Sequence, residues 1–291
     1  MATLASTVEH SEGSFETADG LRLFSQHWQD TSYGKRGALI IVHGLKDHSS
    51  RYAEFASTMV SRGFVADAFD LRGHGRSPGK RSYIGKFEDL VSDLSTFISE
   101  VKRKNAGLPV FVFGHSMGGT AVALSVVMRA IEVKGVVLSA AALAPGEGIS
   151  PTLIRVTRFL GKAAPSFPLM SLPNKDFSRD PDVVTTMGSD PLIYQKNGPV
   201  RTAAELLNAM HKIETRAHVF ESPVLILHGT ADKLTNPAGS RKLADRASST
   251  DKTLKTYQGL VHDLLHEPEK ARVIADIADW LDMRAPPQLK T

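Results

Sequence analysis

Short apolar runs alternate with amphipathic stretches along most of this chain. The runs are too short for helices and contain no polar alternation, so they predict strands that are buried on both faces. They lie at residues 38–42, 65–69, 110–113, 135–139 and 224–227, with a further strand near 253–257. Between them apolar residues recur every three or four positions, most clearly over 87–104, which predicts amphipathic helices. This alternation predicts an α/β fold with a mostly parallel sheet and helices on both faces.

Local signals predict a hairpin and further helices around these strands. Asp19-Gly20 divides the segment 14–28 and predicts two short antiparallel strands. Helical spacing over 51–62 ends at Gly63. Two more helices are predicted, at 238–246 and from Pro268 to about residue 283.

The alternation is interrupted once, after Ala144. Residues 145–219 contain eight prolines, no buried strand pattern and two short helical patterns. One pattern covers 153–160, and the other follows a capping box that runs from Thr202 to Glu205. Because the strand pattern resumes at 224, we predict a helical cap at 145–219, inserted into a single core formed by 1–144 and 220–291.

Composition and charge exclude several classes of function. The chain has 291 residues, 42% of them hydrophobic, and a net charge of +4 from 35 basic and 31 acidic residues. These charges form no long basic block, which argues against nucleic-acid binding. The absence of cysteine excludes disulfides, thiol catalysis and cysteine-ligated metals. With no signal-peptide pattern and no run near the ~18 apolar residues of a membrane span, we expect a soluble, cytoplasmic protein.

Candidate chemistry centres on Ser116 in the segment GHSMGG, residues 114–119. A serine hydroxyl is a weak nucleophile, so an enzyme that uses one must present it clear of the backbone, beside a base. The glycines of G-x-S-x-G permit the sharp turn that does this, and Gly119 lets the following helix pack closely. The alternative is an ordinary glycine-rich loop. The buried strand before Ser116 and the apolar pattern over 120–128 favour the nucleophile.

A serine nucleophile needs a histidine base, and the base needs an acid. The chain has 11 histidines, so position must select among them. Catalytic groups in open α/β sheets gather at the carboxyl ends of strands. Asp232 follows the strand at 224–227, and His262 follows the strand near 253–257. The order Ser116, Asp232, His262 is that of the α/β-hydrolase fold. We therefore predict these three as catalytic, with Asp232 rather than Asp263 as the acid.

The negative charge of an acyl-transfer intermediate requires backbone N–H donors. The N–H of Met117, at the start of the predicted helix, is one candidate. The N–H of Leu45, in the loop beyond His43-Gly44, is the other. We predict that these two groups form the oxyanion hole.

A zinc site competes with this interpretation. His262 and His266 have the spacing of a zinc-binding H-E-x-x-H helix. Asp263 replaces the glutamate, however, and Pro268 disfavours a continuous helix just after the second histidine. We therefore predict no metal.

Two further patterns have alternative readings. The glycines of 73–79 resemble a dinucleotide-binding fingerprint, but the third is one place late and no helix opens there. We therefore predict no cofactor. The cap pattern at 153–160 carries Arg155, Arg158 and Lys162 on its other face. It suits a lid, a protein-interaction face or a membrane-surface helix, and transient lipid contact is compatible with a lid.

Seven motifs together resemble one family. They are HGLKDHSSRY (43–52), DLRGHGRS (70–77), GHSMGG (114–119), SRDP (178–181), DPL (190–192), LHGTADKLTNP (227–237) and HDLLHEPE (262–269). The set resembles the monoacylglycerol lipase group of α/β-hydrolases, in its plant and bacterial branches, and covers about residues 14–284. The resemblance implies a Ser116–Asp232–His262 triad, an oxyanion hole from Leu45 and Met117, and a mobile cap over an acyl tunnel.

The resemblance also implies residues near the glycerol end of the substrate. In the family these are an acidic residue and an Arg-Tyr pair after the HG motif, which correspond to Asp47, Arg51 and Tyr52. The family's usual glutamate is Asp47 here, and Lys46 adds a charge beside it.

Residues and resemblance together predict a serine hydrolase that cleaves carboxylic esters, foremost monoacylglycerols, through an acyl-enzyme on Ser116. A broad carboxylesterase and a non-catalytic ligand-binding protein are the alternatives, since fold does not fix function. We expect Phe159 and Leu160 to line the acyl tunnel. The expected partner is a small ester or lipid, with transient membrane contact through the cap and no nucleic acid.

Overall fold

An eight-stranded sheet forms the centre of the molecule. The computed structural model describes residues 8–32, 34–146 and 149–286. In chain order the strands are β1 (Val8–Glu16), β2 (Arg22–Asp30), β3 (Gly37–Val42), β4 (Phe64–Phe69), β5 (Val110–His115), β6 (Gly135–Ser139), β7 (Val224–Gly229) and β8 (Lys252–Tyr257). Their order across the sheet is β1-β2-β4-β3-β5-β6-β7-β8, and β2 alone runs against the other seven. The predicted mostly parallel sheet is confirmed.

Helices cover both faces of this sheet. They are α1 (Ala53–Ser61), α2 (Phe87–Lys104), α3 (Ser116–Val127), α4 (Pro151–Ala163), α5 (Pro181–Ser189), α6 (Val200–Arg216), α7 (Pro237–Arg246) and α8 (Lys270–Arg284). Successive residues of β3 enter opposite cores: Ile40 packs with α2 and α3, whereas Leu39 and Ile41 pack with α1 and α8. Within the described residues, none of these helices is long and apolar enough to cross a membrane.

Some elements differ from the sequence expectation. The hairpin strands β1 and β2 have nine residues each, so the hairpin is longer than the predicted segment 14–28. Helix α5 and a short ladder between Pro168–Met170 and Gly198–Pro199 were not predicted, because neither has an extended apolar period. The last helix begins at Lys270 rather than Pro268.

The described residues between β6 and β7 add no strand to the large sheet, in which these two strands pair directly. Helix α4 packs on α6, and a Cβ on Gly161 of α4 would lie 2.7 Å from the Cβ of Ala204. Further along α6, Ala209 and Ile213 belong to the core between α2, α3 and the sheet. Helix α6 therefore joins the predicted cap to the core, and the boundary at 219 stays a prediction.

The start of α3 lies against neighbouring strand ends at distances that only glycine allows. A Cβ on Gly118 would lie 2.3 Å from the carbonyl oxygen of His43 and 2.4 Å from that of Val42. A Cβ on Gly119 would lie 2.7 Å from the Cβ of Ala141. Carbon atoms in van der Waals contact are about 3.5–4.0 Å apart, so any side chain here would push the helix off the sheet.

Gly118→Ala is expected to lower the free energy of unfolding by about 3 kcal/mol or more, because the new methyl group meets backbone atoms that no rotamer change can move. Urea unfolding followed by circular dichroism measures this loss. Gly85→Ala is the matched control, since its Cβ would lie 3.6 Å from the nearest atom, in Tyr83. Equal stability of the two variants would contradict the close packing.

Candidate active site

The three predicted catalytic side chains come from three loops at one edge of the sheet. Ser116 directly follows β5, Asp232 follows β7 and His262 follows β8. Because these strands are parallel, their carboxyl ends lie at the same edge. His262 Nε2 lies 2.9 Å from Ser116 Oγ, and His262 Nδ1 lies 2.9 Å from Asp232 Oδ2. The structure thus places His262 in direct contact with both Ser116 and Asp232.

Ser116 has a backbone conformation that side-chain-bearing residues rarely adopt. Its φ is +52°, in the left-handed region. Strand β5 ends at His115 and α3 begins at Ser116 itself, four residues before the predicted start of the helix. The chain turns sharply at this residue and presents Oγ beyond the sheet. The backbone of Gly44 is so near that a Cβ there would lie 2.9 Å from Ser116 Cβ.

The Asp232 carboxylate is held by several donors. Oδ1 accepts the N–H groups of Leu234 and Thr235, at 2.8 and 3.0 Å. Oδ2 lies 2.7 Å from the hydroxyl of Thr235, in addition to its contact with His262. Burial alone would raise the pKa of Asp232, but the charge of His262 and hydrogen bonds from His228 and His262 outweigh it and hold the pKa well below its usual range. Asp232 is therefore ionised at neutral pH.

His262 is a buried base whose two nitrogens are both engaged. Burial by itself would lower its pKa, but the charge of Asp232 and the hydrogen bond that His262 donates to it outweigh burial, so the pKa lies above the usual 6.5. The ring of Phe177 packs edge-on against the imidazole, with centroids 5.5 Å apart. An anchored histidine with a raised pKa accepts a proton from serine more readily than a free one.

Leu45 and Met117 both line the cavity beside Ser116. Met117 is the second residue of α3, and the first N–H groups of a helix have no intrahelical acceptor. Leu45 lies one residue after Gly44, whose backbone contacts Ser116. Both N–H groups therefore belong to segments that lie against the nucleophile.

A large cavity of about 930 Å³ opens above Ser116. Most of its wall is apolar and comes from the segments around α4 and α6: Ile149, Leu153, Leu169, Met170, Leu206, Leu207 and Met210. The other wall comes from the loop 230–237, which includes Lys233, and from Arg241 of α7. Its size and apolar wall suit a long hydrocarbon chain.

Phe159 and Leu160 do not line this cavity, contrary to the expectation. Helix α4 turns Leu153 and Thr157 toward it, whereas Phe159 is 68% exposed. Small residues decide this orientation, because Thr157 and Gly161 form the buried stripe that allows α4 to approach α6. An amphipathic pattern shows which residues share a face, but not which way that face points.

Asp47, Arg51 and Tyr52 also lie outside the cavity lining. They form a buried network in which Arg51 donates to Asp47 Oδ1 at 2.9 Å and to Asp263 Oδ2 at 2.7 Å. The hydroxyl of Tyr52 donates to Asp47 Oδ2 at 2.8 Å. These groups are thus hydrogen-bonded to one another, and their implied position near the glycerol end stays a prediction. The network joins the Leu45 loop to the His262 loop.

The two histidines of the zinc-like motif have separate partners. His266 Nδ1 lies 2.8 Å from Asp263 Oδ1, and His266 Nε2 lies 2.9 Å from the carbonyl oxygen of Arg51. His262 faces Ser116 instead. Residues 264–266 form a single 3-10 turn rather than a helix that could hold both rings on one face.

Sequence reasoning missed several residues that hold the catalytic loops. Glu267, whose side chain is fully buried, accepts the N–H of Val261 at 3.1 Å and the N–H and Nε–H of Arg179, both at 2.6 Å. It therefore fastens the His262 loop to the segment before α5. His228 and Thr235, beside Asp232, were missed as well. Their only sequence signal was proximity to a predicted catalytic residue.

A serine, a histidine and an aspartate in contact at the carboxyl edge of a mostly parallel, helix-covered sheet define a serine hydrolase with the α/β-hydrolase fold. Comparison with known proteins then assigns the family. The chain belongs to the Hydrolase_4 family, described as "Serine aminopeptidase, S33", whose model matches residues 34–269.

The most similar relatives include two monoacylglycerol hydrolases. The chain is 36% identical over 272 residues to the monoacylglycerol lipase of Mycolicibacterium smegmatis, covering 93% of this chain and 96% of that one. It is 35% identical to the monoglyceride lipase of Homo sapiens, covering 92% and 89%. The crystal structure of the monoacylglycerol lipase of Paleococcus ferrophilus has 30% identity and a TM-score of 0.77, covering 95% and 99%. The resemblance drawn from the motifs is confirmed.

Asp263→Asn is expected to lower the free energy of unfolding at pH 7 by about 3 kcal/mol, because it leaves buried Arg51 with one carboxylate instead of two. The charges of His266 and Arg51 outweigh burial and hold the pKa of Asp263 well below its usual range. The stabilisation is therefore present above about pH 4 and is lost as the pH falls toward the folded pKa. Urea unfolding from pH 7 downward measures it.

Asp279→Asn is the matched control for this prediction, because it removes a carboxylate that is 71% exposed from a surface pair with Arg62. Exposed pairs contribute at most about 1 kcal/mol. If the Asp263 variant lost no more stability than the Asp279 variant, the buried network would not be the link between the two loops.

Proposed function

We propose that this protein hydrolyses the ester bond of monoacylglycerols through an acyl-enzyme on Ser116. The observation that carries the proposal is the 2.9 Å contact between Ser116 Oγ and His262 Nε2 at the floor of a large apolar cavity. A non-catalytic binding protein has no need of a base in hydrogen-bond contact with a strained, cavity-facing serine.

In the proposed reaction Ser116 Oγ attacks the ester carbonyl while His262 Nε2 takes its proton. The N–H groups of Leu45 and Met117 stabilise the oxyanion, and Asp232 stabilises the imidazolium through Nδ1. His262 then gives its proton to the glycerol oxygen as the carbon–oxygen bond breaks. Water, deprotonated by the same histidine, attacks the acyl-enzyme, and His262 returns this proton to Ser116 Oγ as the bond to the fatty acid breaks.

The wall of the cavity supports a long acyl chain over a small acid or a peptide. Each methylene that leaves water contributes up to about 0.8 kcal/mol, so a long chain gains affinity here that an acetyl group does not. An aminopeptidase would need a negative group to bind the free amino terminus. Among the lining residues that the structure describes, Asp232 is the only carboxylate, and it is already hydrogen-bonded to His262.

The outer face of the cap supports transient contact with a membrane surface, which is part of this proposal. Val156, Phe159 and Phe167 are 46%, 68% and 52% exposed, and basic side chains of α4 accompany them. An exposed apolar face beside cationic residues suits the boundary between lipid headgroups and acyl chains. The expected cytoplasmic location stays a prediction.

Ser116→Ala is expected to abolish monoacylglycerol hydrolysis and fluorophosphonate labelling, because loss of the nucleophile lowers kcat about a million-fold. The melting temperature is expected to stay close to that of the wild type. Asp232→Asn is expected to lower kcat by about ten thousandfold. Residual hydrolysis above about a thousandth of the wild-type rate in the Ser116 variant would remove the assignment.

The cavity predicts that kcat/KM rises with acyl-chain length over the short to medium range. Leu207→Trp places a larger side chain in the apolar wall and leaves less room for a long acyl chain. The ratio of kcat/KM for long-chain esters to kcat/KM for acetate esters is expected to fall at least about tenfold. A tenfold loss corresponds to about 1.4 kcal/mol, which two methylenes that are no longer buried already exceed. Phe159→Ala is the matched control: the ratio for dissolved esters stays at the wild-type value, and only binding to phospholipid vesicles weakens. A wild-type optimum at acetate would favour the small-ester carboxylesterase.

A further inference from the structure

Asp232 is contacted by a second histidine that the proposed reaction does not use. His228 lies near the end of β7 and is completely buried. Its Nε2 lies 3.1 Å from Asp232 Oδ2, the same oxygen that is 2.9 Å from His262 Nδ1. On the other side of the ring, Nδ1 lies 2.7 Å from the hydroxyl of buried Ser240 in α7. Two imidazole rings therefore share one carboxylate oxygen.

The Asp232 carboxylate determines which nitrogen atoms of the His228 and His262 rings carry hydrogen. Asp232 is ionised, so each imidazole nitrogen that faces it must carry a hydrogen. For His262 this leaves Nε2 free to accept the proton of Ser116. In the His228 tautomer that carries its hydrogen on Nε2, Nδ1 is an acceptor, and the hydroxyl of Ser240 donates to it. The opposite tautomer of His228 would point a nitrogen lone pair at a negative oxygen only 3.1 Å away.

We propose that His228 is a positioning residue for the hydrolysis, acting through Asp232. Its Nε2–H holds Oδ2 in line with His262 Nδ1 and takes up part of the carboxylate charge. Ser240 keeps His228 in the tautomer that can do so. The inference rests on the proposed function, because it assumes that Asp232 orients the base. His228 does not line the cavity, so it affects the base and not the binding of substrate.

The sign of the effect follows from the shared oxygen. A hydrogen bond from His228 stabilises the charged form of Asp232. Without it the carboxylate is more basic and holds the imidazolium form of His262 more strongly, so the pKa of His262 rises. The acidic limb of the kcat/KM profile therefore moves to higher pH. A side chain that only fills space between β7 and α7 has no such effect.

The experiment compares His228→Met, which keeps bulk without a donor, with His228→Gln, whose amide N–H replaces Nε2–H. His228→Met is expected to lower kcat by between about ten- and a hundredfold, the loss of one hydrogen bond to a charged group, with little change in KM. Its acidic limb is expected at higher pH than in the wild type. His228→Gln is expected to keep most of the wild-type kcat and to have its acidic limb at the wild-type pH.

Two further variants separate the possible failures. Ser240→Ala removes the hydroxyl that keeps His228 in one tautomer. It is expected to shift the acidic limb of the kcat/KM profile in the same direction by a smaller amount. This variant keeps the test open if His228→Met fails to fold. His211→Met, on the exposed side of α6, is the matched histidine control and is expected to leave the profile unchanged. Melting temperatures establish which variants are folded.

The inference would be overturned if folded His228→Met and Ser240→Ala both had the wild-type kcat and an acidic limb at the wild-type pH. An equal loss in His228→Met and His228→Gln, with no movement of the limb, would also overturn it and leave His228 with a purely structural role. Neither result affects the proposed function, which fails instead if Ser116→Ala retains activity in the same assay.

Discussion

The left-handed turn at Ser116 is the constraint on which the rest of the site depends. A residue in such a conformation costs on the order of 1–3 kcal/mol and persists only where its surroundings leave no alternative. Here Gly118 lies against the carbonyl groups at the end of β3, and Gly44 lies against Ser116 itself. The nucleophile and the loop that carries Leu45 are therefore held by backbone contacts. Rotation of a side chain therefore cannot change the distance between Ser116 and the loop that carries Leu45.

The loop that carries His262 has backbone contacts of its own, since a Cβ on Gly229 would lie 2.2 Å from the carbonyl oxygen of Leu260, and it is held by buried charge as well. Arg51 bridges Asp47 and Asp263, and Glu267 holds Val261 and Arg179. Buried ion pairs contribute little net stability, because desolvation offsets their attraction, but removing one partner leaves an uncompensated charge. We infer that this network fixes where the His262 loop lies more than it stabilises the fold. The loop can move only if several buried pairs separate together.

The sequence predicted the sheet and the meeting of Ser116, Asp232 and His262 at one of its edges for the same physical reason. Strands covered on both faces must be apolar throughout, so β3, β5 and β7 are visible as uniform runs, and the residues that follow them share one edge. Position after a strand, together with the chain order of the α/β-hydrolase fold, then selected Asp232 and His262, although β8, which precedes His262, is mostly exposed or half-buried.

What sequence could not supply was the direction of side chains whose partners are distant. Arg51 meets Asp263, 212 residues further along the chain, and this contact turns it away from the cavity. The orientation of α4 likewise depends on the small residue Ala204 in another helix. A motif or an amphipathic period contains no information about such contacts. The family resemblance located these residues near the site without showing what they touch.

The predicted cap has two parts with different attachments to the core. The part near 172–179 is hydrogen-bonded to the loops that carry Leu45 and His262. Lys46 Nζ donates to the carbonyl oxygen of Leu172 at 2.9 Å, and the N–H of Asp263 donates to the carbonyl oxygen of Phe177 at 2.7 Å. Helix α4 rests on α6 instead and supplies part of the apolar wall. Changes in α4 therefore alter the space for the acyl chain, while the loops that carry Leu45 and His262 keep their contacts.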